Sequence, residues 1–478
     1  MRNSSAKNRT ERFVWFGAGT AIIAFLFILV ASPSIFAQGG GSSSSSDRHL
    51  ETFSQVFRYV QNNYVDEIDP EVLLEGALKG LFESLGDPYS AYLSPTDMRG
   101  LSDTTTGRFG GVGMYISKQQ LTEEEREANK PSYVVIESPI DGTPAQRAGI
   151  RSNDLIVEIE GESTGAMTID EVLNELRGTP GTSVEITIRR GANLTFPVTL
   201  RREFIEVPTV RKAMIGDDIG YLRITQFTPF TDDRVRDAID SFSSEGYSAM
   251  ILDLRRNPGG LLTGVVDVAN LFFSGGTIVG TRGRVASENE VITANRQKVV
   301  PDDLPIVVLI DGGSASASEI LAGALKDRDR AYLIGTTTFG KGSVQRVRQL
   351  GNGGFRLTMS RYYTPSGEYI DKVGVAPDKT VEEPTMSDEE TKAYMELVNS
   401  GTIVEFIEET PNPTEDEILA FIEQARADGF TLNEREIRRL IRDESNRARN
   451  ITTVYDLEFD TVLIEAVRLL RSGEIAGR

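Results

Sequence analysis

Ile306-Val-Val-Leu-Ile310-Asp-Gly-Gly-Ser314-Ala-Ser316-Ala-Ser318-Glu319 is the stretch on which the fold turns. Its unbroken apolar run reads as a buried strand, and the small residues that follow read as the start of a helix from Ser316 to Leu325. On either side strands and helices alternate. Tyr221 to Phe227, Met250 to Leu254 and Tyr332 to Ile334 read as strands, with helices near Asp233 to Phe242 and from Leu261. This alternation predicts an α/β core. A strand-turn-helix junction exposes a side chain at the strand's end, and the unpaired amides and dipole of the helix N-terminus favour an oxyanion there. Ala315 and Ala317 would let a carbonyl approach closely. Serines that merely cap the helix are the plainer alternative.

Composition narrows the chemistry. A length of 478 residues suits about two to four domains. The net charge of −20 argues against a nucleic-acid partner, because such a surface repels phosphate. With no cysteine there is no thiol catalysis, thiolate metal site or disulfide. The single histidine, His49, borders a Gly/Ser run, so neither a Ser-His-Asp triad nor an imidazole metal site is supported, and the sequence calls for no metal or cofactor. A hydrolase of this composition must take its base from a carboxylate or a lysine. Gly335-Thr-Thr-Thr-Phe-Gly340-Lys341-Gly342-Ser343-Val344-Gln345 offers a lysine between glycines. It nearly matches a phosphate-binding loop, but Gly342 stands where a magnesium-binding hydroxyl is needed. A solvated loop charge is the other reading.

At the N-terminus, Arg2, Lys7, Arg9 and Arg12 precede Phe13 to Ala31, an uncharged apolar run that reads as an export signal or membrane anchor. The basic flank keeps residues 1–38 as a cytoplasmic tip and transmembrane segment, with the remainder exported. An uncleaved, single-pass anchor is favoured over a cleaved signal, since the run is long and Ile35 is a poor residue two places before Ala37. Residues 39–47 are a Gly/Ser linker. Residues 48–105 carry helical spacing (Phe53, Val56, Phe57, Val60, then Val72, Leu73, Ala77, Leu81), with Pro70 opening a second helix.

Residues 106–203 change to short alternating strands, such as Val134 and Ile136, or Val184, Ile186 and Ile188. Thr168 and Glu171 form a capping box ahead of the apolar stripe Val172, Leu173 and Leu176. Phe109-Gly110-Gly111-Val112-Gly113-Met114 suits a loop whose amides converge on an anion. Together with Pro144 to Ile150 and Asp154 to Gly161, the block resembles a PDZ domain of bacterial proteases. The resemblance implies that a peptide adds as a strand beside Val112 to Ser117. Its carboxylate would lie on the amides of Gly110, Gly111, Val112 and Gly113, and its side chains against Val172 and Leu176. Taken alone, the same glycines would only make tight hairpins.

Gly86-Asp-Pro-Tyr-Ser-Ala-Tyr92-Leu, Asp253-Leu-Arg-Arg-Asn-Pro-Gly-Gly260, Ser314 to Glu319, Thr337 to Gly342, Thr364-Pro-Ser-Gly and Gly374-Val-Ala-Pro-Asp378 together resemble the carboxyl-terminal processing peptidases, or tail-specific serine proteases. The resemblance spans Leu50 to Val381. It implies an α/β protease core over residues 204–381 with an inserted, mainly-β PDZ domain. An N-terminal helical segment and a helical C-terminal region, residues 382–478, complete the chain, and no catalytic constellation is identified in the latter. It implies that Ser316 is the nucleophile and Lys341, 25 residues later, the base. Gln345 would orient the lysine, sharing its face if the segment is extended. The amides of Ala317 and of Gly259 or Gly260 would form the oxyanion hole. Asp327 matches an aspartate sometimes implicated in the family, with a structural role equally open. Lysine's ordinary pKa of about 10.4 must fall by about 3, roughly 4 kcal/mol, so Lys341 is expected in an apolar pocket without a salt-bridge partner. The implied function is endopeptidase cleavage of exported proteins near apolar, unstructured C-termini in the bacterial envelope, with the PDZ domain capturing or gating substrate. A homodimer and a lipoprotein adaptor are partners the resemblance allows. The alternative is a catalytically inactive PDZ-containing envelope adaptor.

Overall fold

The computed structural model describes residues 45–98, 100, 107–119, 128, 130–191, 194–296, 298–449, 451 and 453–475. The run Phe13 to Ala31, expected to be a membrane segment, and the first part of the Gly/Ser linker lie outside the described residues, among which no helix is long and apolar enough to cross a membrane. Two compact units divide after Gly76. In the first, helix Ser45–Asn63 begins inside the serine run, three residues before the expected helical segment, and bears exposed Leu50, Phe53, Val56 and Tyr59. Pro70 opens the next helix, Pro70–Glu83.

The second unit is built on a six-stranded sheet. Its order is Val210–Ile215, Ile219–Ile224, Ala249–Asp253, Ile306–Ile310, Tyr332–Gly335, Lys379–Thr380, parallel except for the first pair. Alternate residues feed two cores. Leu222, Leu252, Val308 and Ile310 pack with helices Thr231–Glu245, Leu262–Ala269 and Ala317–Asp327. Tyr221, Ile251, Val307 and Leu309 pack instead with Val462, Leu463, Ala466 and Leu469 of helix Thr461–Ser472. Covering both faces explains why Ile306–Ile310 is apolar without alternation. The parallel strands follow one another in one direction, so same-handed crossovers put their helices on one face and leave the other to be covered from elsewhere. The C-terminal helix does this. Residues 382–478, read from sequence as one region, therefore divide in two. Helices Asp388–Ser400, Thr402–Glu409, Glu415–Ala427 and Glu434–Ala448 share a separate core, while Thr461–Ser472 belongs to the protease sheet.

A second sheet runs Ala91–Leu93, Gly353–Tyr363, Thr277–Gly283, Val291–Thr293, with Ser343–Leu350 also paired to Gly353–Tyr363. The inserted β-domain has strand order Met114–Lys118, Val134–Pro139, Leu155–Ile159, Ser183–Arg190, Leu194–Arg201, leaving Met114–Lys118 at an edge. Its two chain connections pair with each other, Arg108–Gly111 against Glu203–Glu206, so the domain rises from the core on a two-stranded stem.

Candidate active site

Ile310 ends the buried strand, and the turn after it is fixed by groups that are not themselves exposed. Ser314 Oγ donates to the Leu254 carbonyl at 2.8 Å and accepts from Asp311 N–H at 3.0 Å. The Ala315 amide and Ser318 Oγ both donate to the Asn257 carbonyl at 2.9 Å. Asn257 is buried, and its own amide donates to the Ile224 carbonyl. The two flanking serines thus tie the turn to the Asp253–Gly260 loop. The middle one, Ser316, is the N-cap of helix Ala317–Asp327, and its φ is 56°. A non-glycine residue in that region is strained.

Gly259 packs against this serine. With φ at +105°, a Cβ on it would lie 2.9 Å from both Ser316 Cβ and Ala317 N. Its own N–H donates to Asn257 Oδ1 at 2.9 Å, so of the two glycines named for the oxyanion hole, Gly259 has its amide engaged. Gly260 is exposed, and Ala317 is the first residue of the helix.

Glu319 joins the serine to the lysine. Its buried carboxylate accepts from Ser316 N–H at 2.7 Å and Lys341 N–H at 2.8 Å on one oxygen, and from Gly340 N–H and Thr338 Oγ at 2.6 Å each on the other. The backbone nitrogens of Ser316 and Lys341 are therefore no further apart than those two bonds laid end to end. Burial pushes the Glu319 carboxyl upward against the pull of its donors. All four partners are donors, which fits the ionised form. The sequence signal for Glu319 is its place three residues after Ser316, the spacing of a capping box.

Lys341 is half-buried, and its amine lies over the Tyr89 ring, 5.1 Å from the centroid. Among the described residues no carboxylate pairs with it. Burial first, and then the neighbouring Arg356 charge, hold its pKa below the ordinary lysine value, with Glu319 opposing. A Cβ at Gly342 would collide with the Asp371 backbone, which physically excludes the hydroxyl residue a phosphate loop needs there. Among the described residues no hydrogen bond joins Gln345 to Lys341. The strand begins only at Ser343 and a bulge separates Val344 from Gln345, so the assumed two-residue alternation fails. Gln345 Nε2 donates instead to Ser343 Oγ at 2.7 Å and to Thr358 Oγ at 3.4 Å. Asp327 accepts from the Ser366 amide at 2.9 Å and so holds the Thr364-Pro-Ser-Gly turn.

On the inserted domain, a groove of about 240 Å³ runs beside the edge strand. Gly111, Val112, Gly113 and Leu176 line it as expected, but Gly110 and Val172 do not. Gly110 lies in the stem, its carbonyl bonded to the Gly178 amide. Val172 is wholly buried in the domain core, and Leu173, one residue round the helix, takes the groove-facing place with Arg177.

Comparison with known proteins agrees with this architecture. The chain matches peptidase family S41 over residues 218–381, a PDZ domain over 135–190 and the N-terminal domain of the activating protease CtpB over 31–96. The carboxy-terminal-processing protease of Bartonella bacilliformis is 38% identical over 381 residues, covering 78% of this chain and 83% of that protein. The carboxy-terminal processing protease CtpA of Bacillus subtilis is 34% identical over 366 residues, 76% of each chain. Among solved structures, a photosystem II D1 C-terminal processing protease is 29% identical, covering 71% of this chain and 94% of that one, with a TM-score of 0.41. An α/β core with a stemmed PDZ insertion and this extent of identity place the chain in the carboxy-terminal processing protease family, the serine-type peptidases of family S41.

Proposed function

We propose that this protease cleaves unstructured, exported polypeptides near apolar C-termini through a Ser316–Lys341 dyad. The observation that carries the reading is the Glu319 carboxylate, which holds the backbone of both residues on one oxygen beside a strained serine at a helix N-terminus. Neutral Lys341 takes the Ser316 hydroxyl proton as Oγ attacks the carbonyl carbon. The resulting oxyanion is held by the amides of Ala317 and Gly260. Lys341 then passes its proton to the leaving amine, and in the second half it deprotonates the water that hydrolyses the acyl-enzyme. Gln345 orients the lysine through its side-chain oxygen, a contact that tightens in the substrate complex.

The groove beside Met114–Lys118 takes the substrate tail as an added strand, its carboxylate on the Gly111–Gly113 amides and its terminal side chain against Leu173 and Leu176. The stem lets that capture gate the active site as well as tether substrate. Phe13 to Ala31 supplies a membrane anchor that puts the enzyme on the exported face of the bacterial envelope. A second copy of the chain and a lipoprotein adaptor are the proposed protein partners.

The test incubates the exported body with an unfolded protein ending in apolar residues, beside Ser316→Ala and Lys341→Ala. Both variants are expected to lose cleavage by a factor of about 10² or more. Equal cleavage by all three sinks the dyad, and binding without cleavage by the parent favours an inactive adaptor. Excising the PDZ domain at its stem separates the remaining roles: faster, less selective cleavage means gating, and weaker substrate affinity alone means tethering.

A further inference from the structure

Gly86-Asp-Pro-Tyr-Ser90 lies outside the S41 match, before the PDZ insertion, and the dyad leaves it without a task. Its turn is firmly built. Tyr89 N–H donates to Asp87 Oδ1 at 3.0 Å, Ser90 Oγ donates to Asp87 Oδ2 at 2.5 Å, and Ser90 Oγ accepts from Thr358 N–H at 2.9 Å. The next residues, Ala91–Leu93, pair with Gly353–Tyr363, Ala91 opposite Arg356. Thr358 belongs to that same strand and is the partner across from Gln345. The turn is therefore bolted to the sheet that flanks Lys341, and it brings the half-buried Tyr89 ring to 5.1 Å from the lysine nitrogen.

We propose that Tyr89 is a positioning residue of the active site, whose ring covers the Lys341 amine and keeps water from it without supplying a counter-charge. The inference rests on the Ser316–Lys341 reading for its catalytic meaning. The charged groups acting on this amine are Arg356 from Gly353–Tyr363 and Glu319 from the nucleophile's helix. Asp87, Arg361, Asp371 and Lys372 line the cavity on the Tyr89 side. A carboxylate in Tyr89's place would hold the lysine protonated, and a small polar side chain would let water do the same. An aromatic face attracts an ammonium but also strips it of water, and the net direction at Lys341 is downward with burial as the largest cause, so the neutral amine is favoured. The segment before the PDZ domain is on this account part of the catalytic apparatus.

Amine acylation of Lys341, followed against pH by peptide mass spectrometry in the full chain carrying Ser316→Ala, reads the neutral fraction directly. Tyr89→Ser is expected to move the labelling midpoint upward and to lower labelling near pH 7 by about three-fold or more, half a pH unit. Tyr89→Phe and Tyr89→Leu, which keep an apolar wall, are expected to retain the parent midpoint. A Tyr89→Ser curve superimposed on the parent overturns the proposal, as does an equal shift in Tyr89→Phe or Tyr89→Leu. If Tyr89→Ser fails to fold, Tyr89→Asn, which likewise admits water, takes its place and is expected to give the same upward shift. With Ser316 restored, the acid limb of kcat/KM should follow the labelling midpoint. Cleavage that survives Lys341→Ala removes the dyad while a labelling shift leaves the Tyr89 contact standing, so the two failures are distinguishable.

Discussion

A φ of 56° at Ser316 costs about 1–3 kcal/mol, and the bonds around it must hold that conformation. Glu319 is the principal holder. In Glu319→Gln an NH₂ replaces one oxygen, so two of the four donors lose an acceptor, at about 1–3 kcal/mol each. We expect kcat to fall about ten- to a hundred-fold with KM little changed, measured on a fluorogenic peptide. Lys341 gives a pH prediction of definite sign. Burial and Arg356 lower its pKa, so the folded chain binds fewer protons than the unfolded chain between that value and the ordinary lysine value. Stability therefore rises with pH across this window. Below it the charged lysine is a fixed cost, and activity falls with it as the base is lost. Lys341→Met should accordingly melt above the parent near pH 7, and the difference should close at alkaline pH; a gap constant with pH would contradict the assignment.

At the scale of single elements, periodicity tells which residues face inward but not which of two inward-facing positions meets a ligand. The capped helix Ile169–Leu176 has its predicted box, with Glu171 N–H on Thr168 Oγ at 3.2 Å and Thr168 N–H on Glu171 at 2.7 Å. Its apolar stripe spans Val172, Leu173 and Leu176, and only packing assigns Val172 to the core and Leu173 to the groove. Val172→Ala should cost about 2 kcal/mol of domain stability with peptide affinity retained. Leu173→Ser should weaken binding of an apolar-tailed peptide by about ten-fold with the melting temperature unchanged. Calorimetry and peptide titration separate the two. The strand-turn-helix at Ile306 to Glu319 was legible because an apolar run, a Gly pair and small residues each leave a local mark. The relation of Lys341 to Gln345 was not, because a bulge leaves no mark in residue type. Tyr89 has no local mark of its role either, since its meeting with Lys341 is made across more than two hundred residues of chain.

For the whole molecule, the winding of the sheet creates a need that the C-terminal residues meet. Nothing in residues 454–475 carries a chemical motif; an apolar stripe such as Val462, Leu463, Ala466 and Leu469 announces a helix but not its partner. Arg255 fixes the partner. Its buried guanidinium bonds Asp253 at 2.7 Å and Asp460 at 2.6 and 2.8 Å, and Glu383 at 3.1 Å, while Tyr221, on the face that the C-terminal helix covers, donates to Asp253 at 2.7 Å. Asp460 also caps the C-terminal helix, accepting from Leu463 N–H at 2.8 Å. Arg255 stands two residues before Asn257, whose carbonyl and side chain shape both the serine turn and the Gly259 amide. The C-terminal helix is thus tied to the start of the Asp253–Gly260 loop. Asp460→Asn tests this without removing the cap, because asparagine caps as well as aspartate. The variant should fold, lose about 2 kcal/mol on calorimetry through the weakened buried pair, and show a reduced kcat at unchanged KM. Full activity in a destabilised variant would limit the C-terminal helix to covering the sheet.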